Sequence, residues 1–242
     1  MPDPDPLARL TSMAGVASAM AASRDGIDAL LRDRGLRRST PEDTAESLLR
    51  GAHASAALEG ADSPLDVVRV GGGGPAALAA VRVSTELLGL APMLARAPLQ
   101  VFARLHTLAA KGLVDDADLG KPRDGDTAAR LRDLAMTLSV ATSAPALVTA
   151  AVVHAEICAA SPFETHNAIV ARAAERLVLV GRGVDAKSLV VPEAGHLALR
   201  REYESNLRGY RGGGPAGVRS WLLYAAEAYA AGAEASPLVR RG

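Results

Sequence analysis

The sequence predicts an all-α fold, and three observations support that prediction. Alanine and leucine, which favour helices, dominate a chain of 242 residues in which 49% of residues are apolar and only 3% are aromatic. Runs of β-branched residues are short, so little of the chain favours strands. Proline and glycine recur at helix-sized intervals, where they can begin and end helices. We therefore expect a helical bundle with an N-terminal helical extension.

Helix boundaries follow from capping patterns and breaks. Thr40-Pro41-Glu42-Asp43 is typical of a helix start, because a hydroxyl cap and a first-turn proline precede acids that favour the helix N-terminus. The glycine runs 71–74 and 212–214 are predicted joints, and 184–192 is predicted to hold a short extended piece. The predicted helices span residues 7–35, 41–59, 75–90, 98–111, 127–140, 145–160, 167–181, 193–210 and 215–232.

The helices group into three predicted segments. A helical arm covers residues 1–40, a single helical domain covers 41–235, and a short tail covers 236–242. The chain is long enough for one domain with a substantial core. We therefore expect the chemistry to lie within one bundle.

Composition and charge exclude several classes of protein. The 27 basic residues equal the 27 acidic ones, which argues against nucleic-acid or anionic-membrane binding. The single cysteine, Cys158, excludes an internal disulfide and is expected to be an inert buried thiol. The acidic, proline-rich start is unlike a signal peptide, and the longest apolar stretch, 144–160, is interrupted by polar residues. We expect a cytoplasmic protein, and 24 arginines against three lysines indicate a high-GC, actinobacterium-like genome.

One segment combines polar residues with a helix start. Residues 151–172 read AVVHAEICAASPFETHNAIVAR, in which a loop after an apolar helix leads into a new helix at Asn167. The unpaired N–H groups of a helix N-terminus suit an anion such as phosphate. Arg172, one and a half turns further on, could point back toward the same place. This segment is therefore the candidate anion-binding site.

This loop resembles a degenerate copy of the Fic (Fido) signature, His-Pro-Phe-x-Asp/Glu-Gly-Asn-Gly-Arg-x-x-Arg. Other stretches are similar to the family in the same order along the chain: LH at 105–106, GKPR at 120–123 and HAE at 154–156. The resemblance extends from about residue 45 to 230. The positions that match the signature are Pro162, Phe163, Asn167 and Arg172.

The resemblance implies a function as well as a fold. Most Fic proteins are helical bundles that transfer AMP from ATP to a hydroxyl group of a protein. In that family the histidine takes the hydroxyl proton, the acid holds Mg²⁺, and the remaining signature residues bind phosphates. The resemblance therefore assigns nucleotide or phosphate binding to Pro162, Phe163, Asn167 and Arg172.

A second motif resembles the inhibitory helix of the family, Ser/Thr-x-x-x-Glu-Gly/Asn. It reads Ser55-Ala-Ala-Leu-Glu59-Gly60 and lies within the helical segment 41–60. By the resemblance, Glu59 reaches Arg172 and occupies the place of the γ-phosphate. We expect Ser55, Glu59 and Arg172 to form this inhibitory pair, which would also pin the N-terminal helix to the core.

The chain departs from the signature where the chemistry resides. Ordinary AMP transfer is not expected, because a serine is no base by itself, a threonine brings no charge to Mg²⁺, and an isoleucine cannot bind phosphate. Side chains in place of glycine also crowd an anion-binding loop. The departures are Ser161 for the histidine, Thr165 for the acid, His166 and Ala168 for the two glycines, and Ile169 for the first arginine.

Three hypotheses follow. The first is a Fic-like pseudoenzyme that acts as a regulatory or interaction module with a protein partner or as a homodimer. It requires no cofactor, and any ATP or other nucleotide would bind without Mg²⁺. The second is a nucleotidyl or phosphate-group transferase with altered chemistry that uses Ser161 or His166. The third is a purely structural helical protein.

The remaining notable side chains are expected to be structural. His106 and His154 lie on apolar helices, and no pair of histidines has metal-binding spacing, so no metal site is expected. An aromatic group is expected to pack the two C-terminal helices together; its members are Tyr203, Tyr210, Trp221 and Tyr224.

Overall fold

The computed structural model describes residues 5–34 and 39–241. Within these ranges every regular element is a helix and there is no strand, so the all-α prediction is confirmed. The elements are α1 (Pro6–Thr11), α2 (Val16–Arg34), α3 (Pro41–Leu58), α4 (Leu65–Arg69), α5 (Gly74–Leu94), α6 (Pro98–Ala110), α7 (Gly125–Ser139), α8 (Ala146–Ala160), α9 (Asn167–Gly181), α10 (Pro192–Ala198), α11 (Arg200–Arg211), α12 (Pro215–Glu234) and a 3₁₀ helix (Pro237–Arg241).

Two predicted helices are each two helices in the structure. The segment 7–35 breaks at Gly15, whose positive φ of 82° separates α1 from α2. The segment 193–210 breaks at Leu199 between α10 and α11. The short helix α4 was not predicted, and the predicted helix end at residue 35 lies outside the described residues.

The predicted extended piece at 184–192 is wrong. The segment is irregular and buried except at residues 186–187, and its backbone forms hydrogen bonds without a neighbouring strand. The Val190 N–H donates to Asp185 Oδ2 (2.6 Å), and the Val191 N–H donates to the carbonyl of Gly232 in α12 (3.0 Å). A buried backbone needs such partners, and a side chain and a neighbouring helix supply them here.

Helices α8 and α9 pack against each other at the centre of the bundle. Helix α8 is buried around nearly its whole circumference, as its uniformly apolar sequence requires. Helices α5, α6, α11 and α12 surround this pair, and α3 lies against α5 and α10. The loop between α8 and α9 is therefore held by the most buried part of the molecule.

Close contact between α10 and α12 depends on glycine. A Cβ atom at Gly195 would overlap the carbonyl group of Ala228, so the two backbones approach at this point. Glu193 and His196 lie on either side of Gly195, and both are buried. The approach therefore places two polar side chains of α10 inside the bundle.

The N-terminal helices are attached through Asp5. Its carboxylate caps α1 at the Ala8 N–H (3.1 Å) and accepts hydrogen bonds from the Ser143 N–H (2.8 Å) and the Thr142 hydroxyl (2.8 Å). The Ser143 and Thr142 donors lower the pKa of Asp5 to about 2. Helix α2 packs along α12.

No membrane-spanning stretch was expected, but within the described residues helix α5 is long and apolar enough to cross a membrane, by length and composition only. It packs against α3, α6 and α9, and 44% of its most apolar window is buried. Such packing is typical of a core helix in a soluble helical protein.

Candidate functional site

The signature loop (residues 161–166) begins at Ser161, which ends α8 with a positive φ of 43°. Its N–H donates to the Ile157 carbonyl (2.9 Å), and its hydroxyl donates to the Cys158 carbonyl (3.0 Å). The hydroxyl therefore closes the last turn of its own helix. Its proton points to a carbonyl group and not to a base.

Asn167 holds the middle of the loop in shape. Its side-chain oxygen accepts from the Phe163 N–H (2.9 Å), and its side-chain nitrogen donates to the Phe163 carbonyl (2.9 Å). The Phe163 ring is buried and stacks on His106 at 4.3 Å with an angle of 6° between the planes. The amide of Asn167 thus closes a ring with the backbone of the loop.

Arg123 fixes the loop from outside. Its N–H donates to the Pro162 carbonyl (2.8 Å), and its Nε donates to the Ser161 carbonyl (3.0 Å). Nearby, His106 Nδ1 accepts from the Gly120 N–H (2.9 Å). Two segments that resemble the family in sequence, 105–106 and 120–123, therefore support the loop in space.

Thr165 and His166 form a pair at the end of the loop. Thr165 Oγ1 and His166 Nδ1 are 2.6 Å apart, and His166 has a positive φ of 57°. Burial lowers the pKa of His166, the Glu59 carboxylate opposes that effect, and the Arg82 charge adds to it. The imidazole therefore favours its neutral form.

Ile169, at the position of the signature's first arginine, is 2% exposed and packs in the main core. Cys158 is also buried, and burial raises the pKa of its thiol to about 11.

The structure brings Ser55, Glu59 and Arg172 together. Arg172 Nη2 donates to Glu59 Oε1 (2.6 Å) and to the Ser55 carbonyl (3.1 Å), and Nε donates to Ser55 Oγ (2.8 Å). Arg172 is 1% exposed and Glu59 30% exposed, so the pair reaches from the core to the surface. Burial alone would lower the pKa of Arg172, but Tyr203 and Glu59 outweigh it, so the guanidinium stays charged.

Arg172 also begins a network of buried polar side chains, which we call the buried polar network. Its Nη1 donates to the Tyr203 hydroxyl (3.3 Å), which lies 3.0 Å from His154 Nε2. His154 Nδ1 is 3.0 Å from Glu175 Oε2. Because a carboxylate only accepts, His154 donates from Nδ1 and accepts the Tyr203 proton at Nε2.

The network continues beyond Glu175. His196 Nε2 donates to the same carboxylate (2.9 Å), Tyr224 donates to His196 Nδ1 (2.7 Å), and Tyr229 donates to Glu175 Oε1 (2.8 Å). His154, Glu175 and His196 are each 0% exposed. Burial raises the pKa of Glu175, but the donors His196 and His154 outweigh it and the net shift is well downward. Burial lowers the pKa of His154 to about 4.

His154, Glu175 and His196 also form a potential metal-binding group within the described chain, since their ligand atoms lie within 4.8 Å of one another. Sequence spacing did not indicate this group, because its members come from three different helices. In the structure each ring nitrogen already has a hydrogen-bond partner, and the network closes without an ion.

A second buried ion pair attaches α3. Arg176 Nη1 donates to Glu193 Oε2 (2.9 Å), and Nη2 donates to the Ser47 hydroxyl (2.6 Å). Its Nε also donates to the Ser188 hydroxyl (2.7 Å). Gly51 leaves the space for this pair, since a Cβ there would overlap it. Arg172 and Arg176, one helical turn apart on α9, thus both hold α3.

Most of the buried polar network was not predicted from the sequence. Glu175 was not singled out, although an acid inside the apolar helix sequence NAIVARAAERLVLV is a signal that a buried partner exists. His154 was expected to be structural, as was the aromatic group, and both are buried. Two tyrosines of that group, Tyr203 and Tyr224, contribute hydroxyl groups to the network as well as packing.

Sequence comparison gives no match: neither a family model nor a curated protein is similar to the chain. Comparison with solved structures does find proteins that resemble this chain. A Fic family protein from Desulfovibrio desulfuricans G20 has a TM-score of 0.71 and 19% identity, with 90% of this chain and 73% of that chain covered. A fragment of Fic-1 from C. elegans has a TM-score of 0.71 and 15% identity, with 93% and 72% covered.

A variant of the same C. elegans fragment has a TM-score of 0.70 and 16% identity, with 90% of this chain and 71% of that chain covered. At 15–19% sequence identity, the similarity lies in how the helices are arranged and connected. The described chain therefore has the all-helical fold of Fic family proteins.

Proposed function

We propose that the chain is a Fic-fold protein that has lost AMP transfer and acts as a regulatory or protein-interaction module in the cytoplasm. One observation carries the proposal: the Ser161 hydroxyl, at the position of the catalytic base, donates its proton to the Cys158 carbonyl. A hydroxyl in this arrangement accepts no proton from a substrate near neutral pH.

The surroundings of Ser161 support the same proposal. Four of the five N–H groups of Arg172 are used within the chain, by Ser55, Glu59 and Tyr203. Ile169 is buried and offers no charge to a phosphate. We infer that the contact between Glu59 and Arg172, which resembles an inhibitory pair, now serves to attach α3 to the core.

Isotope transfer tests the proposal. The wild-type protein and Glu59→Gly, which frees Arg172, are incubated with α-³²P and γ-³²P nucleotides, Mg²⁺ or Mn²⁺, and cell lysate. We expect no labelled protein with either form. Transfer by Glu59→Gly would overturn the proposal, and circular dichroism controls for its folding.

Calorimetry separates residual binding from chemistry. We expect ATP to bind weakly to Glu59→Gly, with the same affinity with and without Mg²⁺, because no carboxylate of the signature remains in the loop. Tight binding that requires Mg²⁺ would contradict the pseudoenzyme. The positive control restores the signature, and circular dichroism checks that it folds, because position 169 is buried. Its substitutions are Ser161→His, Thr165→Glu, His166→Gly, Ala168→Gly and Ile169→Arg.

A second function is favoured by one contact, the 2.6 Å pair of Thr165 Oγ1 and His166 Nδ1. A neutral imidazole beside a hydroxyl is the arrangement of a base and a nucleophile, so an altered group-transfer reaction is the alternative. It predicts that labelling is abolished in the variant His166→Ala. Labelling should persist in the control His53→Ala, which removes a histidine of α3 outside the loop. Labelling that survives His166→Ala would exclude this alternative.

A further inference from the structure

Two apolar clefts meet at the end of the bundle where α5, α7 and α9 terminate. The first, of about 440 Å³, is lined by residues of α5 and α9 together with Leu138 of α7. The second, of about 720 Å³, is lined by the start of α6 and the last turns of α7. The chain passes directly from one cleft to the other at two places: residues 94–95 line the first and 96–98 the second, and residue 138 lines the first and 139–140 the second. We call these two neighbouring clefts the terminal cleft.

The terminal cleft concentrates exposed apolar side chains. Three of the nine large apolar side chains that are exposed in the described chain line it: Leu99 (39% exposed), Met136 (60%) and Val140 (64%). Contiguous exposed apolar surface of this kind marks interaction sites. Methionine adapts its shape to different partners, which suits a binding surface.

The charged side chains that line the terminal cleft are all positive. The charged residues that line it are Arg96, Arg132 and Arg182, all exposed, and no acidic side chain lines either part. Within the described chain none of the three arginines forms an ion pair. Three helix C-termini contribute about −0.5 charge each, so about +1.5 remains.

The apolar lining and the positive charges together indicate which kind of partner would bind the terminal cleft. Apolar pockets with a positive rim fit an amphipathic helix whose apolar residues recur at one face and whose flanking residues are acidic. The described chain has no strand edge, so an extended peptide cannot pair with it as an added strand. A symmetric second copy would place arginine against arginine, which disfavours it.

We propose that the terminal cleft binds an acidic amphipathic helix of a partner protein. The inference rests on the proposed function, because it names the partner class of an interaction module. It does not involve the signature loop, so the isotope assay and the binding assay can fail separately.

Peptide binding tests the proposal. Two fluorescein-labelled peptides of about 18 residues carry leucines at the same helical positions, with glutamates in one and lysines in the other. We expect the acidic peptide to bind at least about tenfold more tightly than the basic one, by anisotropy, and its binding to weaken with added salt. Equal binding of both peptides, or no binding of the acidic one, overturns the proposal.

Variants locate the site. Met136→Glu, at an exposed position that tolerates charge, should weaken binding of the acidic peptide at least about tenfold. The control Val70→Glu should leave that affinity unchanged, because Val70 is 84% exposed and lies away from the cleft. Arg96→Glu with Arg132→Glu should reverse the preference toward the basic peptide. An unchanged affinity of Met136→Glu, or self-association in sedimentation that Met136→Glu abolishes, contradicts the proposal.

Discussion

The signature loop and the buried polar network adjoin each other along α8 and α9, yet their polar side chains are used differently. In the loop, Ser161 and Asn167 bond to backbone atoms only a few residues away. In the network, side chains from α8, α9, α10, α11 and α12 bond to one another at full burial. Local bonds can be replaced one at a time, whereas a buried network requires all its members.

This difference corresponds to where the chain departs from the signature and where it matches it. The positions at which the chain departs from the Fic signature include Ser161, Thr165 and His166 in the loop. Arg172, which matches the signature, has partners on α3 and α11. A charge with several buried partners is costly to lose, because its removal leaves the partners unsatisfied.

The largest effect is expected at Glu175. Glu175→Ala leaves two imidazole N–H groups and a tyrosine hydroxyl unsatisfied in the core, and should lower the free energy of unfolding by about 3–5 kcal/mol in urea titrations. Glu164→Ala, an exposed acid of the signature loop, is the control and should change it by less than about 0.5 kcal/mol. Similar losses for both variants would remove the contrast.

The contact between Glu59 and Arg172 joins the buried polar network to the end of α3. A double-mutant cycle with Glu59→Ala and Arg172→Leu should give a coupling free energy of about 1–3 kcal/mol, below the full value of a buried pair because Glu59 is 30% exposed. The matched control is Glu86 and Arg104, also 2.6 Å apart but 43% and 47% exposed, with an expected coupling below about 1 kcal/mol. Equal couplings would mean that burial does not strengthen the pair.

Acid should act on both regions through histidine. Burial lowers the pKa of His154 in the network and of His106 under the loop to about 4, against an ordinary value of 6.5. Between these values the unfolded chain binds a proton that the folded chain does not, so stability falls as pH falls from 6.5 to 4. His106→Phe should reduce the slope of unfolding free energy against pH by about 1.4 kcal/mol per unit; an unchanged slope would exclude His106 as a contributor.

The smallest effect is expected at Ser161. Ser161→Ala removes a single hydrogen bond at the end of α8 and should cost less than about 1 kcal/mol, measured by thermal unfolding. Asn167→Ala removes both bonds to Phe163 and should cost about 1–3 kcal/mol. A larger loss at Ser161 than at Asn167 would show that the base position still has a structural role beyond capping.

The fold was largely predictable because helix signals are local. Thr40-Pro41 begins α3 and Asn167 begins α9, as the capping and turn residues indicated. The errors lie where tertiary contact decides. The segment 184–192 is apolar enough for a strand but is paired through Asp185 and Gly232, and Leu199 ends α10 without a proline or glycine.

Within the candidate site, the order of residues alone identifies those at the signature positions and shows that Glu59 follows Ser55 at a helical spacing. The packing of the helices brings these residues to Arg172, and it places Glu175 among His154, His196 and Tyr229. The difference arises from separation along the chain. Capping and periodicity act over a few residues, whereas Glu59 and Arg172 are 113 residues apart and meet only because the apolar faces of α3, α5 and α9 pack together.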